Sequence, residues 1–143
     1  MLRILLVDDE PLVLIGLQGM LEWEKLGYTV CGTARNGKIT MSGVTSQNVA
    51  ATIQNSGTLK LENISANVCN AKVQNGSITG SVIGSGSSYG FELAAGGGKI
   101  RVSDASDKNF LFSGKDTLQQ NADAPNKLSL ATKNGDVEVE FVR

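Results

Sequence analysis

A short phrase recurs through most of this chain, and it limits the folds open to it. The copies are Gly37-Lys-Ile39-Thr-Met41, Gly57-Thr-Leu59-Lys-Leu61, Gly76-Ser-Ile78-Thr-Gly80, Gly98-Lys-Ile100-Arg-Val102 and Gly135-Asp-Val137-Glu-Val139. Each is a glycine, a polar residue, an apolar residue, a polar residue and, in four of the five, a second apolar one. The central apolar residues are spaced 20, 19, 22 and 37 apart, the last close to two periods. A period near 20 is the mark of stacked repeats, in which each unit buries its apolar side against the next. Within a copy the apolar residues alternate, and Gly, Asn, Ser, Thr and Val are frequent. Both features favour strand over helix.

Laid on its glycine, each repeat keeps apolar residues at similar offsets. The first has Ile39, Met41, Val44, Val49 and Ile53; the second has Leu59, Leu61, Ile64, Val68 and Val73. The reading is a mainly β chain: a β-solenoid (β-helix) of about five coils of about 20 residues over 37–143. In it Ile39, Leu59, Ile78, Ile100 and Val137 stack as one inward ladder, and the Asn-Gly corners stack as another. Residues 104–127 are irregular.

Composition removes several chemistries. The chain has 143 residues, 13 basic against 14 acidic, and no histidine. It therefore lacks imidazole for acid–base work, nucleophile pairs or metal ligation. A formal charge of −1 offers no cationic face to nucleic acid and no basic anchor to a membrane. Cys31 and Cys69 are far apart in no metal-binding spacing and read as free, partly buried thiols. No window is apolar enough for a membrane span, and the apolar start is cut short by Asp8-Asp9-Glu10, wrong for a secretion signal. As written, the chain reads as cytoplasmic.

Residues 1–36 differ in kind. Arg3–Val7 reads as a buried strand, and Asp8-Asp9-Glu10-Pro11 as a helix start. Val13, Leu17, Met20 and Leu21 form one face of a helix near residues 10–26, with Gly27 as its stop, and Tyr28–Gly32 reads as a second strand. Ile4-Leu-Leu-Val-Asp-Asp-Glu-Pro-Leu-Val13, then Gly16-Leu17, Leu21-Glu-Trp23 and Leu26-Gly-Tyr28, resemble the start of a bacterial response-regulator receiver domain of the AraC-coupled type. The resemblance implies that Asp8 and Asp9 match the acidic pair that holds Mg²⁺ beside a phosphoacceptor aspartate. That third carboxylate is missing, because no Asp occurs between Asp9 and Asp104. The metal site is incomplete, and neither a metal nor another cofactor is expected. The segment is expected to be a β-α-β cap, with Leu17, Leu21 and Trp23 packed on the coil of Ile39 and Met41.

The Gly-x-apolar-x-apolar repeats of 37–143 resemble adhesin-like β-helix families of unknown function, often associated with the cell envelope. The resemblance implies no enzymatic activity. Other constellations are weak. Gly84-Ser-Gly-Ser-Ser-Tyr-Gly90 has no following helix and reads as a mobile loop rather than a phosphate cradle. Asp104, Asp107, Asp116 and Asp123 read as solvated loop acids rather than a catalytic cluster, and Tyr89 and Phe91 as packing rather than a ligand lip. The expected function is a non-catalytic structural or interaction module with no catalytic residues. Its partners are protein or glycan, or further copies joined through the solenoid ends. The alternatives are a two-component phosphorelay protein and a carbohydrate-binding or carbohydrate-active β-helix. The abrupt change at Gly37 marks a natural fusion or a chimera. With half an acidic site, the protein should take no phosphate from acetyl phosphate. Intact mass after treatment checks this, and one acid-labile phosphate gained would restore the phosphorelay reading.

Overall fold

The computed structural model describes the backbone of residues 2–7, 11–22, 25–26, 28–34 and 37–143. Asp8, Asp9 and Trp23 lie outside the described residues, as does the side chain of Cys31. The elements run β1 (Leu2–Val7), α1 (Pro11–Met20), β2 (Tyr28–Ala34), β3 (Lys38–Ser42), β4 (Thr45–Ser56), β5 (Thr58–Asn75), β6 (Ile78–Ile83), a 3₁₀ turn (Gly86–Ser88), β7 (Tyr89–Asp104), β8 (Asp107–Gln120), β9 (Asn126–Asn134) and β10 (Val137–Val142). The protein is mainly β, and its described strands join in one ten-stranded sheet.

All pairings are parallel except β7 with β8. The long strands β5 and β7 each serve two ladders. The start of β5 pairs with β3 and β6, and its later part with β4 and β9. The start of β7 pairs with β9 and its end with β10. With β6 beside β10, the strands β5, β6, β10, β7 and β9 close into a ring of five. A front ladder (β3, β5, β6, β10, β7) and a back ladder (β4, β5, β9, β7) enclose a single apolar cluster.

The front ladder carries the repeated phrase. Ile39, Leu59, Ile78, Val137 and Ile100 are register partners in that order, and each is at most 1% exposed. The next inward row is Met41, Leu61, Gly80, Val139 and Val102. On the back ladder Ala51, Ala71, Leu130 and Leu93 form a row, small residues at one end and large ones at the other. Alternation along each strand puts these residues inside and their polar neighbours outside.

Glycine is required at the corner by space as well as by conformation. A Cβ on Gly57 would come 1.7 Å from the Gly37 oxygen, and one on Gly76 1.6 Å from the Gly57 oxygen. The series continues with Gly135 on Gly76 at 2.1 Å and Gly98 on Gly135 at 1.9 Å. Gly76 and Gly135 also hold φ of 144° and 151°, which side-chain-bearing residues rarely adopt. Beside this column the Asn134 amide donates to Asn75 Oδ1 at 2.7 Å. The inward ladder and the glycine column are present, the latter with Asn75 and Asn134 beside it, but the sheet closes into a five-strand barrel rather than plainly into five stacked coils.

Two expectations need correction. The stack does not follow chain order: β10 lies between β6 and β7, so Val137 sits between Ile78 and Ile100. Val137, Val139 and Phe141 are at most 1% exposed, and such a strand gains most when flanked on both sides. The outer position falls to β8, with exposed Lys108, Lys115 and Asp116 and two breaks in its pairing with β7, features that protect an edge. Residues 104–127, expected to be irregular, are thus largely this strand, whose Phe110, Phe112 and Leu118 pack against the core.

Among the described side chains, those of the helix are not buried against the first coil. Leu12 is 77% and Met20 80% exposed, and Leu17 and Leu21 remain 37% and 44% exposed. The N-terminal segment instead attaches by strand addition, β1 running parallel to β4 with Arg3 opposite Val49 and Ile4 opposite Ala50. An edge strand offers free backbone groups along its length, whereas the apolar residues Ile39 and Met41 are already buried without the helix.

Two outcomes follow. Ile78→Asp should cost ~3 kcal/mol or more, a buried carboxylate without a partner. Thr79→Asp, pointing outward between Lys60 and Glu138, should stay within ~0.5 kcal/mol. Urea melts of the two variants check the register. Deleting residues 1–34 should leave a soluble chain melting within a few degrees of the parent, since only two register pairs join β1 to β4.

Candidate functional site

The acids named from sequence do not converge. Asp104 continues an inward front row after Val82 and Phe141 and is 6% exposed. Its Oδ2 accepts the Gly86 N–H at 2.9 Å, and its Oδ1 accepts the Ser106 N–H at 2.9 Å and the Ser106 hydroxyl at 2.6 Å. The Ser106 hydroxyl foremost, then the Gly86 amide, hold its carboxyl below the usual range, with Arg143 adding a favourable charge. Asp104 is a corner staple and not the solvated loop acid expected. Asp107, Asp116 and Asp123 are exposed as expected. Asp107 accepts the Asn109 N–H at 3.0 Å and Asp116 the Gly97 N–H at 3.2 Å. Among the described residues no group of three or more His, Cys, Asp or Glu could hold a metal ion.

Tyr89 and Phe91 are packing residues, although Phe91 borders one surface groove and Tyr89 another hollow. Tyr89 is 4% exposed, donates its hydroxyl to the Ala66 carbonyl at 2.9 Å and packs on Phe141 with ring centroids 5.2 Å apart. Burial, and secondarily the nearby Cys69, raise its pKa against the hydrogen bond to Ala66. Phe91 meets Phe110 and Phe112 edge to face. The glycine-rich stretch is a packed turn: a Cβ on Gly86 would fall 2.4 Å from the Phe110 ring. Cys69 is free and buried, its thiol pushed up to about 11, which leaves it protonated and unreactive.

What remains is surface relief on and beside the back ladder. A groove of about 600 Å³ is lined by Asn70, Gly90, Glu92, Gln119, Gln120, Asn121, Ala122, Lys127 and Ser129, over Phe91 and Leu128. Asn70 is the register partner of Ser129, Ser129 of Glu92, and Glu92 of Gln119, so these four cross the strands in one outward row. One wall is fixed: Asn121 Nδ2 donates to the carbonyls of Ser87 and Tyr89 at 2.7 and 3.0 Å, and Lys127 Nζ donates to the Ala122 carbonyl. A neighbouring hollow of about 500 Å³ is lined by uncharged residues, among them Thr45, Ser46, Gln47, Asn67, Ser85 and Asn126. There Asn67 donates to Asn126 Oδ1 at 3.1 Å.

Sequence reasoning missed the row, although a signal for it exists. Asn70, Glu92 and Ser129 each stand six residues before a repeat glycine, Gly76, Gly98 and Gly135. Counting forward from each glycine aligns the front ladder, and counting back aligns the rear one.

Over 37 residues the chain is 51% identical to the uncharacterized transcriptional regulatory protein YesN of Bacillus subtilis (strain 168). The match takes in 26% of this chain and only 10% of that protein. It supports a receiver-like fragment. No family model matches the chain, and no solved structure matches it. No described helix is long and apolar enough to cross a membrane.

Asp104 yields a pH-dependent outcome. Its folded pKa lies below the ordinary carboxylate value, so the stability it contributes is full above that value and is lost as pH falls through the lowered one. Asp104→Asn should lose about 1–3 kcal/mol at neutral pH by disturbing the acceptors of Gly86 and Ser106. The gap in melting temperature between parent and variant should narrow as the medium is acidified below the ordinary carboxylate range. A gap independent of pH would show that the ionised carboxylate is not what matters.

Proposed function

We propose that this chain is a non-catalytic interaction module: an adhesin-like β-solenoid over residues 37–143, carrying a receiver-like segment with no phosphorelay role. In this reading the two ladders are the faces of a solenoid whose coils are joined at the glycine column, with one coil threaded between two others. The observation that carries it is the alternation along both ladders. Apolar residues are committed to a shared interior, while the outward positions hold uncharged polar and scattered charged side chains. Among the described carboxylates the one with the most hydrogen-bond partners, Asp104, is taken up in holding a turn. A hydrolase of the β-helix kind works with paired carboxylates facing one bond. The groove supplies a single acid, Glu92.

The test is binding without turnover. Purified protein is passed over immobilised polysaccharides and matrix proteins, and the same polysaccharides are assayed for new reducing ends. Retention with no reducing ends is the expected result. Reducing-end release that scales with protein concentration would replace the module by an enzyme.

A further inference from the structure

We propose that the outward row Asn70, Ser129, Glu92 and Gln119 is the floor of a binding track for a linear, uncharged oligosaccharide lying across the strands. This rests on the interaction-module reading and names its ligand.

Three observations converge. The four residues are successive register partners, so their side chains recur at the strand spacing of about 4.8 Å on a rigid ladder. The side chains of Asn70, Ser129, Glu92 and Gln119 make no hydrogen bond or ion pair within the protein, although those of their neighbours Asn121 and Lys127 do. Their polar groups are available to a ligand without first breaking a bond inside the protein. Finally, the lining is chemically selective. Amides and a hydroxyl both donate and accept, as sugar hydroxyls do. One acid, Glu92, is matched by one base, Lys127, whose ammonium is already turned to the Ala122 carbonyl. A polyanion would find no cationic field there.

The front ladder makes the contrast. Its outward row Thr40, Lys60, Thr79, Glu138 and Arg101 mixes charges of both signs, and Lys60 pairs with Glu62 on its own strand. A peptide is also a poor fit for the back groove. The large apolar residues beneath it, Phe91 and Leu128, are 3% and 1% exposed and offer no anchor pocket. Repeating hydroxyls along a chain match repeating polar groups along a row, and the wall of Gln120 to Ala122 sets the side against which that chain would lie.

The experiment is a glycan array holding linear neutral glucans, mannans and galactans beside heparin and polygalacturonate, followed by titration with hexasaccharides of any class retained. The variants are Asn70→Ala combined with Gln119→Ala, and, as a control on the front ladder, Thr40→Ala combined with Thr79→Ala. Binding of a neutral class is expected. The first pair should weaken it about tenfold, as the loss of two hydrogen bonds requires, and the control should leave it unchanged. Melting temperatures within a few degrees of the parent establish that both pairs are folded, and Glu92→Gln serves as a second, nearly isosteric probe of the row. Neutral-glycan binding insensitive to all row variants, or retention of the anionic glycans alone, overturns the track and leaves the interaction module standing. No retention of any glycan also overturns it, and the module then depends on the protein arm of the preceding test.

Discussion

The structure depends on backbone packed directly against backbone at one corner. In the column Gly37, Gly57, Gly76, Gly135 and Gly98, the space where a Cβ would sit is taken by a carbonyl of the neighbouring repeat. That proximity sets the register of everything beyond it. Two residues after each glycine an apolar side chain turns inward, and the five stack in line. Once the front ladder is in register, the turns of β5 and β7 carry it to the back ladder, and the core closes between them. Hydrophobic burial supplies most of the driving force, as in any domain. The corner decides which burial is available, since a slip of one residue would turn each apolar residue to solvent.

Much of this was legible because it is local and periodic. The strand character, the inward ladder from Ile39 to Val137 and the Asn-Gly corner all follow from alternation and from glycine at a fixed offset. The order of the stack was not legible. Val137 matches Ile100 and Ile78 equally well as a neighbour, and only the competition for the protected central position separates them. The Asp104 staple was hidden for a related reason. Its partners Gly86 and Ser106 lie on either side of it in sequence, and nothing in an Asp-Ala-Ser stretch shows that the Asp has taken an inward slot normally apolar. The groove row was concealed by the direction of counting. Strands of the back ladder end at a glycine rather than beginning with one.

The two ends of the sheet are managed differently. At one end β8 runs antiparallel beside β7, sends Phe110 and Phe112 towards the core and exposes charged residues. At the other, the receiver-like segment contributes β1 to the edge of β4, and the helix it carries keeps Leu12, Ile15 and Met20 at the surface. In a whole receiver such a helix would cover a sheet. Here the sheet beside it is two strands, β1 and β2, the first of them paired with the edge of β4.

The placement of β10 has a consequence in time. A ribosome makes residues 137–142 after every strand they join, yet they occupy the middle of the front ladder. Until they arrive, β6 and the end of β7 have no partner on the sides that face each other, and the ring of five stays open. The repeats cannot zip up one after another as they emerge, the usual advantage of a stacked architecture. Closure must wait for contacts between distant parts of the chain, a slow route that leaves strand edges exposed on the way. The device that buries β10 so well therefore makes the fold wait for a strand made long after its neighbours β6 and β7.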